Sequence, residues 1–462
     1  MSLTRRSFGK LVGTLATTAV MPACGNGSAS RAPARAASLG SAPRPPNLLV
    51  ILGDDLGWAD LGCYGSPSIE TPHLDTLARE GVRFTNGYSA APTCSPTRLS
   101  LYTGRHPGRL RAGLEEPISG PEKRVGLPED HPTLASLLKQ VGFTTAMYGK
   151  WHCGYLPLYS PIKSGWEEFF GNFSGGIDYY SKISYTTEYD LYEQEVKFDS
   201  LDYYTDLLTA RAVGFLRRAH TKPWLLNLNF TSPHWPWEAP GDKAWSADVT
   251  RRLLAGEEAA LRTGGSAETY RKMVQSLDAA IGTVLEALRA SGQDRDTVVF
   301  FASDNGGERY SNEGPLQGRK LALYEGGIRV PTILRWPGHV RAGRTSDAPV
   351  TTQDWTATLL ELAGASPSAA YALDGQSLTA HLVHEAPIAE RDLFWRTRQA
   401  RALRRGPWKY LRTVTKGEAA EFLFDLSADV GETTNHATRE SDRMARMRTR
   451  CEDIDRQLLP YG

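Results

Sequence analysis

The sequence predicts an α/β fold: a large, mostly parallel or mixed sheet flanked by helices, followed by a smaller domain with an antiparallel sheet and a helix. Three observations lead there. Near-continuous apolar runs at 47–52 and 297–301 have the texture of strands buried on both faces. Strand-like and helix-like stretches alternate up to about Ala363, and 268–290 places Val274, Leu277, Ile281, Val284, Leu285 and Leu288 at three- and four-residue intervals before Gly292. Beyond Gly364 the texture changes to short strand candidates at 393–396, 400–403, 408–412 and 421–426, then a closing helix at 440–459.

At 462 residues the chain exceeds one average domain, and we divide it into a large domain at 47–364 and a smaller one at 365–462. Apolar residues make up 40% and charged residues 23%, as in ordinary globular proteins. A formal net charge of +1, with no basic stripe interleaved with aromatics, excludes nucleic acid as a partner. There is no Gly-rich phosphate loop and no internal repeat.

Residues 1–24 resemble a twin-arginine export signal, with Arg5-Arg6 ahead of a weakly apolar stretch at 11–20. That stretch is shorter than the roughly 20 residues a membrane span needs. Met21-Pro22-Ala23-Cys24 reads as a possible lipoprotein processing site with a lipid anchor at Cys24; plain cleavage nearby is the alternative. Residues 25–46, rich in Ala, Ser, Gly, Pro and Arg, read as a flexible linker. The expectation is a protein exported by the twin-arginine machinery, periplasmic or lipid-anchored at the cell surface.

The first predicted strand ends in Gly53-Asp54-Asp55, and the strand at 297–301 runs into Ala302-Ser303-Asp304-Asn305. Ligands of parallel sheets collect beyond the strand carboxyl ends, so three carboxylates and one amide meet at one place. Unpaired they would repel, which implies a cation. Oxygen donors alone suit the hard ions Ca²⁺ and Mg²⁺, and suit Zn²⁺ poorly.

Between these strands, Cys94-Ser95-Pro96-Thr97-Arg98 opens a predicted helix that stops at Gly104. Pro96 falls in the first turn, where its missing N–H costs nothing. Arg98 lies four residues after Cys94 on the same face, beside backbone N–H groups that attract an oxyanion. A helix at 131–141 and a short strand at 144–148 lead to Gly149-Lys150-Trp151-His152. The strand at 224–230 leads to Ser232-Pro233-His234, and Gly318-Arg319-Lys320 precedes Tyr324 to Arg329.

The Cys-x-Pro-x-Arg pattern at Cys94–Arg98 resembles the maturation motif of the type I, formylglycine-dependent sulfatases of the alkaline phosphatase-like superfamily. The acidic, Lys150, His234 and Lys320 segments follow in that family's order. Phe422-Leu423-Phe424-Asp425-Leu426 with Glu432 and Asn435 resembles its terminal-domain signature, so the likeness runs from about Asn47 to Asn435. The resemblance implies an alkaline phosphatase-like sandwich with 47–364 as catalytic domain. It implies that a formylglycine-generating enzyme oxidises Cys94 to Cα-formylglycine. It favours Ca²⁺, with Mg²⁺ possible, held by Asp54, Asp55, Asp304 and Asn305 together with residue 94, the matured Cys94.

In the mechanism so implied, one hydroxyl of the hydrated aldehyde attacks sulfur, and loss of a proton from the other expels sulfate. Arg98 and Lys150 stabilise the hydrate and the bound group's charge. His152 takes the second proton, while His234 and Lys320 face the leaving oxygen; Lys150, His234 and Lys320 touch the substrate. The expected reaction is hydrolysis of sulfate monoesters of a sulfated saccharide or aryl sulfate. The alternatives are a formylglycine-dependent phosphonate monoester or phosphodiester hydrolase, and a non-catalytic glycan-binding lipoprotein. Trp235, Trp237, Tyr179 and Tyr180 are candidates to line a sugar or aryl site, with core packing, the more common role of such aromatics, as the alternative.

The five cysteines, Cys24, Cys63, Cys94, Cys153 and Cys451, form no disulfide framework. Twin-arginine export carries folded proteins, so Cys94 must be oxidised inside the cell, before folding hides it.

Overall fold

The computed structural model describes residues 44–461; the export signal, Cys24 and most of the linker lie outside the described residues. Its centre is a ten-stranded mixed sheet. In spatial order the strands are Arg344–Ser346, Val82–Phe84, Thr332–Arg335, Thr297–Ser303, Asn47–Gly53, Trp224–Asn229, Thr144–Gly149, Glu168–Gly171, Tyr192–Glu193 and Val196–Lys197. The five from Thr297–Ser303 to Glu168–Gly171 are mutually parallel. Antiparallel pairings flank them on both sides.

The register decides where the functional loops emerge. Leu52 pairs with Ala302 on one side and Asn229 on the other, and Gly149 pairs with Asn229. Four strands therefore end level with one another. Alternation along Asn47–Gly53 sends Leu49 and Ile51 to one apolar core and Leu48, Val50 and Leu52 to the other. The sheet is thus covered on both faces, which is why its strands are apolar throughout.

Helix Ala267–Ala290 covers the first face, capped by Ser266, whose hydroxyl accepts a 3.0 Å bond from Thr269 N–H. Its stripe of Val274, Leu277, Ile281, Val284 and Leu288 is fully buried, and each large side chain contributes about 1.5–3 kcal/mol of burial. Helix Cys94–Thr103 lies on the other face, with all ten residues buried, and ends at Gly104 with φ 67°. The helix expected at 131–141 is only Leu134–Gln140. Thr133 and Ser136 cap it reciprocally, at 3.0 and 2.8 Å, and Pro132 before them cannot extend it.

Strands Asp392–Arg396, Ala400–Arg405, Trp408–Thr415 and Glu418–Asp425 form a separate antiparallel meander. One face packs Leu403, Tyr410 and Leu423 against Met444, Met447 and Cys451 of helix Ser441–Asp455. The other packs Trp395, Leu411 and Phe424 against Tyr88, Leu323 and Ile328. The last helix stops short of the expected 459, where Leu459 N–H turns to Gly108 O at 2.9 Å.

A buried ion cluster ties this meander to the larger sheet's loops. Lys409 Nζ lies 2.9 Å from Glu325 and 2.8 Å from Glu432. Glu325 also accepts from the Tyr88 hydroxyl at 2.6 Å and pairs with Arg329 at 3.3 Å, while Arg404 donates to the Tyr88 oxygen. No disulfide joins the described cysteines. No helix among the described residues is long and apolar enough to cross a membrane.

Candidate active site

The catalytic and cation-binding residues expected from the sequence reach one buried region at the carboxyl ends of the central strands. Asp54 and Asp55 follow the first strand, Lys150 and His152 the strand Thr144–Gly149, His234 the strand Trp224–Asn229, and Asp304 and Asn305 the strand Thr297–Ser303. Cys94 and Arg98 come from the start of their buried helix. Asp55 and His152 stand at φ 60° and 50°, a left-handed backbone costing on the order of 1–3 kcal/mol each at a non-glycine residue. The packed loops hold that strain in place.

Two layers of charge meet there. Arg98 donates from Nε and Nη2 to Asp304 Oδ2 at 3.0 and 2.8 Å, and its Nη1 reaches Lys150 O at 3.1 Å. Lys150 Nζ lies 2.5 Å from Asp54 Oδ2, and Lys320 Nζ 2.6 Å from Asp55 Oδ2. Cys94 Sγ sits 3.6 Å from Asp54 Oδ1. Asp54, Asp55, Cys94 and His234 each offer one ligand atom, all within 4.8 Å of one another.

Burial works against the charges of Arg98, Lys150 and Lys320, yet the facing carboxylates hold all three protonated: Asp304 and Asp54 for Arg98, Asp54 for Lys150, Asp55 for Lys320. Burial and the neighbouring charge of Asp304 push Asp54 up, while Lys150 and Arg98 pull it back toward the carboxylate. Burial also pushes the Cys94 thiol up. An unmodified Cys94 is therefore a neutral thiol and a poor nucleophile.

Both histidines are kept neutral, His152 by burial and by Lys150, His234 by burial and by Lys320. His152 Nε2 lies 3.0 Å from Ile118 O, and a donor there leaves Nδ1 with a lone pair and no partner. His234 Nδ1 lies 2.6 Å from Trp235 O, so the bare Nε2 faces Asp55 Oδ2 at 3.5 Å. Two acceptors face each other with no proton between them. Asn305 donates its amide N–H to Asp55 Oδ1 at 2.6 Å while its Oδ1 is buried without a partner. Crowded carboxylates, a bare imidazole nitrogen and an orphaned amide oxygen fit a bound cation.

The structure also adds residues that sequence patterns did not reveal. Glu308 approaches Lys320 at 3.6 Å from a loop without periodicity. A Cβ on Gly175 would stand 2.4 Å from the His152 ring, and one on Gly176 2.8 Å from the His234 ring. The paired glycines at 175–176 were the only signal for that close approach. One expectation is corrected: Trp235, Trp237, Tyr179 and Tyr180 are buried packing groups, with the Tyr179 hydroxyl donating to His234 O at 3.0 Å.

Fold and site together define an enzyme that handles an oxyanion ester. The sulfatase family model matches residues 46–365, and the model described as N-sulphoglucosamine sulphohydrolase, C-terminal, matches 319–457. Human N-acetylgalactosamine-6-sulfatase is 34% identical over 378 residues, covering 77% of this chain and 69% of its own. Human arylsulfatase A is 32% identical over 449 residues, covering 85% and 83%. The crystal structure of Ps i-CgsB in complex with k-i-k-neocarrahexaose superposes with a TM-score of 0.79 at 29% identity, covering 89% of this chain and 93% of that one. The chain belongs to the sulfatase family, and it is a sulfatase enzyme of the alkaline phosphatase-like fold.

Proposed function

We propose that this enzyme hydrolyses sulfate monoesters of sulfated saccharides, with residue 94 matured to formylglycine and a divalent cation held by Asp54, Asp55, Asp304 and Asn305. The observation that carries the reading is one buried centre in which three fixed cations surround residue 94 beside a crowded carboxylate group. The names of the relatives support the saccharide: one acts on an N-acetylgalactosamine 6-sulfate, and the i-CgsB structure holds a neocarrahexaose.

The oxygen donors of Asp54, Asp55, Asp304 and Asn305 favour Ca²⁺, with Mg²⁺ the other hard ion they suit. A divalent cation held by these residues would polarise the sulfate group and lower the pKa of a neighbouring hydroxyl. Matured to formylglycine and hydrated, residue 94 would supply the hydroxyl nucleophile that the neutral thiol of Cys94 does not.

The remaining work falls to the chain's own side chains. Lys150 and Arg98, locked by Asp54 and Asp304, present fixed positive charge to the sulfate without rearranging. Lys320, charged against Asp55, neutralises the leaving oxygen. His152, neutral and with Nδ1 free, accepts the proton that accompanies sulfate release. His234 faces the leaving group with Nε2, oriented by its bond to Trp235 O. We further propose that the protein acts outside the cytoplasm after twin-arginine export, in the periplasm or anchored through Cys24.

The test is a desulfation assay on sulfated mono- and oligosaccharides, paired with mass analysis of the 84–98 peptide from the native host. The aldehyde at position 94, together with activity that chelation abolishes and Ca²⁺ restores, is the expected result. Unmodified cysteine in a fully active preparation would overturn it, and so would a clear preference for a phosphonate ester.

A further inference from the structure

The rim of the site carries two guanidinium groups that the reaction does not use. Arg262 ends the short turn Ala260–Arg262, and Arg309 follows Glu308 in the loop beyond Asn305. The Arg262 guanidinium lies over the Trp235 ring, 4.8 Å from its centroid, and that ring is 4.4 Å from the His234 imidazole. Arg309 lies over Trp237 at 5.3 Å and Tyr310 at 5.9 Å, and its Nη1 reaches Arg262 O at 3.5 Å. The Arg262 charge also acts on the Glu308 carboxyl, whose Oε2 is 3.6 Å from Lys320. By both routes the pair adjoins residues that face the substrate.

A guanidinium lying over a ring keeps its in-plane N–H groups for other partners, and Arg309 gives only one of them, on Nη1, to Arg262 O. Both arginines are exposed, and neither forms an ion pair among the described residues. The indoles beneath them are only 6% and 4% exposed, so a ligand at this rim meets N–H forks and not aromatic faces. Planar, bidentate donors of this kind recognise sulfate and carboxylate groups. The sulfate being cleaved already has Arg98, Lys150 and Lys320.

We propose that Arg262 and Arg309 form a second anion subsite beside the cleavage centre, selecting saccharides that carry a further acidic substituent on the reacting or neighbouring sugar. The inference rests on the sulfatase reading above and names the substrate class of that site. Its test compares kcat/KM on three probes: a monosulfated disaccharide, the same disaccharide with a second sulfate, and the same disaccharide with a uronate carboxylate.

The wild type should favour one or both doubly anionic probes by about tenfold, and which one it favours identifies the second anion. Arg262→Gln and Arg309→Gln should each erode that ratio through KM, and the double variant should erase it. Arg446→Gln, an exposed arginine on the distant C-terminal helix, should keep it. A wild type without preference, or a double variant that retains the preference, overturns the subsite and leaves the sulfatase reading standing. Turnover of none of the three overturns both.

Discussion

Two buried charge clusters in this chain are built from the same residue types and behave in opposite ways. Around Lys409, the ammonium sits between two carboxylates, with Arg329, Arg404 and the Tyr88 hydroxyl completing their surroundings. Around Cys94, lysines and arginine pair with carboxylates too, yet Asn305 Oδ1 and His152 Nδ1 are left without partners and a bare His234 nitrogen faces Asp55. The first cluster is closed by ion pairs among its own groups, with Glu432 Oε1 making no hydrogen bond and resting on the Lys409 ammonium 2.8 Å away. The second is incomplete until something else enters, and incompleteness in a packed interior marks a site where ligands complete the coordination.

The sharpest way to break that contrast is Cys94→Ala. It should abolish sulfate ester turnover while leaving the thermal unfolding midpoint within error of wild type. Lys150→Ala comes next, with kcat expected to fall about 10²–10³-fold, the usual loss on removing one preorganised electrostatic group. Added divalent cation should recover its stability but not its rate, read by calorimetry and steady-state kinetics on one preparation.

Lys409→Met should do the reverse. It strands Glu325 and Glu432 in the interior and should cost about 3–5 kcal/mol by denaturant unfolding, with kcat per folded molecule preserved. If kcat falls in step with that loss, the two clusters are not separable.

The smallest effect is a pH slope. Although burial opposes it, Lys409, Arg329 and Arg404 hold Glu325 down at about 2. Its contribution is therefore full above the ordinary 4.5 and is lost as pH falls from there through 2. Burial pushes Glu432 up to about 7, against the pull of Lys409. The folded state binds that proton more tightly than the unfolded chain, so stability should fall as pH rises from 4.5 through 7. Glu432→Gln should remove the upper slope and keep the acid one, measured as unfolding free energy against pH.

The sequence was most readable where local pattern and chemistry coincide. Apolar runs ending in Asp54-Asp55 and Asp304-Asn305 announce buried strands delivering ligands, and Cys94 to Gly104 carries its own helix start and stop. The Lys409 cluster is announced only by Glu432, in the stretch that resembles the family's terminal-domain signature. Its members are drawn from residues 88, 325, 329, 404, 409 and 432, and only the docking of the small meander brings them together. Glu308, Arg262 and Arg309 sit in loops without periodicity, so neither period nor turn chemistry points to them. Whether the rings of Trp235 and Trp237 line a site or pack is not legible, because composition does not reveal which face of an aromatic another side chain covers.

The centre's partners lie far apart in the chain. Arg98 meets Asp304 across 206 positions, Asn305 meets Asp55 across 250, and Lys320 meets Asp55 across 265. No fragment shorter than the central sheet contains even a rudimentary version of the apparatus. Catalysis in this chain is consequently an all-or-nothing reporter of global integrity: proteolytic nicks that release a segment should extinguish turnover outright rather than leave a weakened remnant.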